Sequence, residues 1–132
     1  MIVGIGTDIV EISRFADWHE KPLEQLLKIY SQAEIDYCLA DTMRSAERFA
    51  ARFAAKEAFF KAFTQAADLQ IPFFTACKSA SIIKNELGAP VLIVDWSQIF
   101  PAQHSRRNET IKVHVSLSHA QTAALAFIVL EV

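Results

Sequence analysis

Glycine and cysteine are the scarce residues of this chain, with three of the first and two of the second in 132 positions. Two cysteines, Cys38 and Cys77, are too few for a disulfide framework and lack metal-ligand spacing, which fits a reducing compartment, the cytoplasm. Gly4-Ile-Gly6 lacks the third glycine and the following helix of a dinucleotide fingerprint, and no Walker loop is present. Neither sign of charge is in excess. Thirteen Lys and Arg against fifteen Asp and Glu leave a net −2, with a pI near 6.1, so no broad basic field exists for nucleic acid or an anionic membrane. MIVGIGTDIVEI has no basic n-region, and no run approaches the roughly 18 apolar residues of a membrane span. The chain therefore reads as soluble and unprocessed. Internal repeats and low-complexity tracts are absent.

What is abundant is apolar surface. Hydrophobic residues make up 52%, including ten Phe and two Trp, and mean hydropathy is +0.22. The length is that of one domain, 1–132. A unit this small leaves much of its surface exposed, so the apolar excess predicts a subunit interface or ligand groove, and with it a homo-oligomer.

Ile2–Ile12 is β-branched and apolar and reads as a buried strand. Glycine inside a strand usually marks the close approach of another backbone, and Asp8 shares the face of Gly4 and Gly6 because side chains alternate. Pro22–Tyr30 suggests a short helix. Ser31-Gln-Ala-Glu34 has capping-box spacing for a helix to about Leu39. Residues 44–67 hold neither Gly nor Pro and many Ala, predicting a long helix. Its 100° steps place Phe49, Phe53, Phe60 and Phe63 on one stripe and Ala50, Ala51, Ala54, Ala55, Ala58 and Ala62 on another. The alanine side is the one expected to meet the Gly4/Gly6 strand, with Glu57 at the seam and Lys61 one turn on. Beyond Pro72 the pattern reads as strands at Ser79–Lys84 and Val91–Asp95 about a turn at Glu86–Pro90. A polar stretch, Ser97–Thr110, follows with Pro101, Arg106 and Arg107. A final hairpin pairs Val113–Ser118 with Ala123–Val132. These elements make an α+β domain, an antiparallel sheet packed against a long helix.

Asp8 and Glu57 are carboxylates in apolar surroundings, and a charge persists there only if paired or bound to a cation. Two carboxylates together with substrate phosphates suit Mg²⁺. Ordinary ion pairs, Glu57 with Lys61 and Asp8 with an arginine, account for the spacing as well and are favoured by the residues alone. Arg48, Arg52 and Lys56 form an i,i+4 row that reads as a solvated basic edge, from which Arg52, like Lys61, is able to hold phosphate oxygens. His119 sits at the mouth of the hairpin, as a ligand contact or a capping residue. His104 and His114 have no partner spacing, and Ser118 and His119 point apart, so no Ser-His-Asp triad is legible.

Three segments, GIGTDIVEISRF at 4–15, RFAAKEAFFKAF at 52–63 and VHVSLSHAQTAALAFIVLE at 113–131, together resemble the 4′-phosphopantetheinyl transferases of the short holo-acyl-carrier-protein synthase type. With weaker matches at Tyr30–Glu34 and Gly88–Pro90, the resemblance spans nearly the whole chain. It implies that fold and a transfer of the 4′-phosphopantetheine arm of coenzyme A to a serine of apo acyl carrier protein, releasing adenosine 3′,5′-bisphosphate. It also implies Asp8 and Glu57 as Mg²⁺ ligands, Lys61 beside the pyrophosphate, and Arg52 and His119 at the nucleotide and its phosphates. Glu86-Leu-Gly88-Ala-Pro90 keeps the family's G-x-P, with Lys84 nearby as a further phosphate contact. The family is typically a homotrimer with sites at subunit boundaries. An acidic carrier protein would dock on basic residues, for which Arg14, Lys21 and Lys28 are the candidates.

The chain departs from this family at Thr64-Gln-Ala-Ala67, where a Gly-Thr-Gly loop is usual; without glycine the long helix is expected to continue by about one turn. Residues 68–81 also look longer and more aromatic than usual. A relative that binds carrier protein or nucleotide without transferring anything is the alternative this departure motivates. An oligomeric binder of apolar ligands, with Asp8 and Glu57 as plain ion-pair partners, is the third.

Overall fold

The computed structural model of the chain describes residues 1–67, 69–100 and 111–132. Strand β1 (Ile2–Glu11) is followed by single turns at Ile12–Phe15 and Trp18–Glu20, a short helix α1 (Leu23–Leu26) and helix α2 (Gln32–Leu39). The capping box forms as expected: the Ser31 hydroxyl accepts the Glu34 N–H while Glu34 accepts the Ser31 N–H. Helix α3 (Ser45–Ala66) is the spine of the molecule, followed by α4 (Phe73–Ser79), β2 (Ala80–Lys84), β3 (Pro90–Val94), a turn at Trp96–Gln98, β4 (Lys112–His119) and β5 (Ala123–Glu131).

Strands β1, β5 and β4 form one antiparallel sheet in that order, and β2 and β3 form a separate hairpin. Register sets Gly6 opposite Ile128, Asp8 opposite Ala126 and Val10 opposite Ala124. The face carrying these residues lies on α3, whose Ala54, Ala55, Ala58 and Ala62 are all fully buried. Small side chains on both sides bring the two backbones together. A Cβ at Gly4 would run into the Ala62 carbonyl oxygen, and one at Gly6 into that of Ala58, so the glycines are there because nothing larger fits.

The second face of α3 is aromatic. Phe49 and Phe53 pack with Phe15, Trp18 and Tyr30, while Phe59 and Phe63 meet Trp96 and Phe100. Phe59 is fully buried whereas Phe60, expected on the stripe, is half-buried against Phe73.

Two expectations need correction. Phe73–Ser79 is a helix, not the lead-in to a strand: Pro72 starts it with its fixed φ, and seven residues are too few to show helical periodicity. Lys56 does not lie on a solvated edge. It is fully buried, its Nζ 2.8 Å from Glu34 Oε1 and donating to the carbonyls of Cys77, at 2.9 Å, and Ala80. Glu34 Oε2 accepts the Ile82 N–H, so this fully satisfied pair ties α2, α3, α4 and β2 together. Removing one member of such a pair typically costs about 3–5 kcal/mol because the other is left buried and uncompensated. Cys38 and Cys77 are free and buried. Of the expected polar stretch Ser97–Thr110, Ser97 and Gln98 lie in the Trp96–Gln98 turn while Ile99 and Phe100 pack with the core; the part with Pro101, His104, Arg106 and Arg107 lies outside the described residues.

Candidate active site

Because β1 runs along α3 with Gly6 against Ala58, the next inward-facing residue, Asp8, arrives beside the turn that carries Glu57 and Lys61. Lys61 Nζ lies 3.1 Å from Asp8 Oδ1 and donates to the Thr7 carbonyl at 3.0 Å. The Asp8 side chain is 14% exposed and that of Lys61 50%. The second carboxylate oxygen, Asp8 Oδ2, is buried and has no hydrogen-bond partner among the described residues.

Glu57 belongs to the same electrostatic environment. Burial first, and then the Asp8 charge, push its carboxyl above the ordinary range, against the opposing pull of Lys61 and Arg14. Two carboxylates that disfavour each other, one with an unpaired buried oxygen, are held together at a cost that a cation would reverse. The donor set fits a hard divalent ion. Oxygen ligands from two elements are what Mg²⁺ takes, and it fills its remaining positions with water and phosphate oxygens. The described residues contain no cluster of three His, Cys, Asp or Glu.

Arg52 and Lys84 are elsewhere. Five residues along α3 from Glu57, about 140° round the helix, Arg52 is 6% exposed and lies 4.1 Å over the Tyr37 ring. Arg48 stacks on the same ring at 4.0 Å and donates to the Tyr37 carbonyl at 2.7 Å, and Lys84 lies 4.7 Å from its centre. Burial raises the Tyr37 hydroxyl, yet its hydrogen bond with Lys84 and the charges of Arg48, Lys84 and Arg52 prevail and lower it. Three cations gather with no described carboxylate in an ion pair with any of them, and Arg52 Nε is buried without a partner. Such a cradle suits a phosphate.

The sequence points to Arg52 and Lys84 as separate phosphate contacts and to Arg48 as an edge charge, and nothing in it marks Tyr37 as the platform they share. The i,i+4 spacing of Arg48 and Arg52 is the available signal, but no spacing reveals that both lie against the ring of Tyr37 on α2.

His119 ends β4 with its ring 3.3 Å from Glu47 Oε1, in the first turn of α3. Gly88 and Pro90 shape the β2–β3 turn, where Gly88 has φ +80° and the Asn85 side chain accepts the N–H groups of Leu87 and Ala89. His114, which has no partner spacing in the sequence, is an exposed residue of β4 and meets Glu131 of β5 at 2.8 Å. Arg14 lies over Phe53 at 4.8 Å, close enough to Glu57 for its charge to be felt there. Lys21 and Lys28 line a groove of about 230 Å³ with Trp18, Leu26, Ile29 and Phe74.

With this geometry in place, comparison with known proteins gives a consistent result. A family model for the 4′-phosphopantetheinyl transferase superfamily matches residues 4–127. A holo-[acyl-carrier-protein] synthase of Clostridium perfringens is 37% identical over 135 residues, covering 99% of this chain and 95% of that protein. Among solved structures, a holo-(acyl-carrier-protein) synthase from Bacillus anthracis in complex with CoA (3′,5′-ADP) superposes with a TM-score of 0.69 at 29% identity, covering 98% of this chain and 96% of the other. The synthase from Neisseria meningitidis gives 0.72 at 29% identity, with 99% of both chains covered. The chain thus belongs to the 4′-phosphopantetheinyl transferase superfamily, within the holo-[acyl-carrier-protein] synthase family, and is an enzyme of that transferase class.

Proposed function

We propose that this chain, acting as one domain over residues 1–132, transfers the 4′-phosphopantetheine arm of coenzyme A to a serine of apo acyl carrier protein, with Mg²⁺ held by Asp8 and Glu57. The observation that carries the reading is the convergence of Asp8, Glu57 and Lys61, with Asp8 Oδ2 buried and unpartnered. The serine oxygen attacks the β-phosphorus of coenzyme A; the bond from that phosphorus to the bridging oxygen breaks, and adenosine 3′,5′-bisphosphate leaves with it. The serine proton passes to a carboxylate or water of this site.

The work of the protein is to position two reactants and neutralise charge. Mg²⁺, when bound, supplies Lewis-acid stabilisation of the diphosphate oxygens. Lys61, half exposed, presents a fixed ammonium to the same oxygens and needs no reorganisation as charge develops. Arg48, Arg52 and Lys84 about Tyr37 offer a second phosphate-binding point. Gly88, Pro90 and His119 flank the nucleotide in this reading.

Acyl carrier protein docks on the basic groups Arg14, Lys21 and Lys28, of which Arg14 carries a charge felt at Glu57. The enzyme acts as a homotrimer with its sites at subunit boundaries. The support for this is the outer face of the sheet, where Ile5, Ile9, Leu125 and Phe127 are exposed. A cytoplasmic setting agrees with two unpaired thiols, and no helix among the described residues is long and apolar enough to cross a membrane.

The test is incubation with apo acyl carrier protein, coenzyme A and Mg²⁺, followed by mass spectrometry. Addition of the phosphopantetheine arm, lost when the metal is chelated, is the expected result. An unmodified carrier beside a working control enzyme would end the proposal.

A further inference from the structure

Strand β1 lies at an edge of its sheet. Among the described residues this strand has β5 on one side and no strand on the other, so the backbone groups of alternate residues point away from the sheet. Two of these are nevertheless occupied. The Ile5 N–H donates to Gln65 Oε1 at 3.0 Å, and the Thr7 carbonyl accepts from Lys61 Nζ, also at 3.0 Å. Lys61 and Gln65 are four residues apart on α3 and therefore lie one above the other on the same face.

We propose that Gln65 is a positioning residue, which with Lys61 clasps the edge of β1 onto α3 and so sets Asp8 against Glu57. The inference rests on the metal-site reading given above and deepens it. Its logic is geometric. Asp8 comes from a strand and Glu57 from a helix, and their separation depends on how β1 lies along α3. Packing of Gly4 and Gly6 on Ala62 and Ala58 brings the two elements close, but smooth contact between glycine and carbonyl backbone resists sliding weakly. Directional bonds at Ile5 and Thr7 fix the position along the helix just before Asp8.

The device depends on a local property of the sequence. Residues 64–67 contain no glycine, so α3 continues to Ala66. A side chain at 65 therefore stands one helical turn beyond Lys61, over the strand. Gln65 itself is exposed and contributes little to the core, which separates its positioning role from a folding role.

Three variants of the full chain test this. Gln65→Met keeps the length and removes the acceptor, Gln65→Glu restores an acceptor, and Leu92→Ala loosens the buried side of β3, on a hairpin that carries neither Asp8 nor Glu57. Mn²⁺ binding with coenzyme A present is read by electron paramagnetic resonance, Ile5 amide exchange by NMR, and Tm by calorimetry. For Q65M the expected result is loss of Ile5 protection and Mn²⁺ binding weaker on the order of tenfold, the scale of losing a group that orients a ligand. For Q65E both are retained.

Unchanged Mn²⁺ affinity in Q65M would overturn the positioning role, as would an equal loss in Q65E. So would a Leu92→Ala variant that weakens Mn²⁺ as much for the same fall in Tm, because the effect would then be general instability. A wild-type chain that binds no Mn²⁺ removes the metal site and the clasp with it, whereas a binding wild type and an unaffected Q65M remove the clasp alone.

Discussion

Glu57, the proposed metal ligand, differs in its electrostatics from a charge held in a satisfied ion pair. Its carboxyl is raised by burial and by Asp8, so the folded chain takes up a proton that the unfolded chain releases in the window above the ordinary value of 4.5. A raised acid contributes instability that appears as pH climbs through that window and is absent below it. Glu57→Gln is therefore expected to match the wild type in Tm at acid pH and to equal or exceed it at neutral pH, in metal-free buffer. The same variant should lose transfer by on the order of 10²-fold, and wild-type transfer should fall on the acid side as Glu57 protonates. Thermal scans at two pH values and a rate profile check both; a Gln variant clearly less stable at neutral pH would show Glu57 to be a structural ion-pair partner. Lys56, its neighbour, is the opposite case. It was unreadable as a buried charge because its partner Glu34 is on another helix, and only folding brings the two to 2.8 Å.

At the scale of elements, the contact of β1 with α3 decides where chemistry is possible. The prediction here contrasts two glycines. Gly6→Ala places a methyl against the Ala58 carbonyl, a backbone atom that cannot rotate aside, and should cost at least about 3 kcal/mol, the upper range for overpacking. Gly88→Ala meets nothing within 4 Å and pays only for its positive φ, about 1 kcal/mol. Urea unfolding of the two variants measures the difference, and a Gly6→Ala chain as stable as the wild type would mean that β1 does not touch the helix backbone. These elements were largely legible. Ser31 and Glu34 announced the start of α2, and a glycine-free run announced α3. Helix α4 was not, because Phe73-Phe74-Thr75 favours extended structure locally while packing of Phe73 on Phe53 and Phe60 overrides that preference.

At the scale of the molecule, the sheet has one face on α3 and one bare. Ile9 is 65% exposed, Ile5 44%, Phe127 41% and Leu125 38%, and Ile9 stands directly opposite Leu125 in the register. Side chains so arranged form a continuous apolar surface of the kind that subunits cover. Phe127→Glu puts a charge at its centre without touching the side packed on the helix. Light scattering should report a trimer for the wild type and a monomer for the variant, with transfer activity falling in parallel. A variant that remains trimeric would place the subunit contact elsewhere.

Composition, alternation and motif spacing determined, without coordinates, that Asp8 lies on a strand face with two glycines, that Glu57 and Lys61 share a helix, and that this helix carries a face of alanine. Those properties are local, since they follow from periodicity along one segment. Which charges meet across segments was decided only by tertiary structure: Lys56 with Glu34, Arg48 and Arg52 with Tyr37, Gln65 with the edge of β1. A charge's partner is a matter of distance in space, and the energy of burying it is settled by whatever the fold brings within about 3 Å.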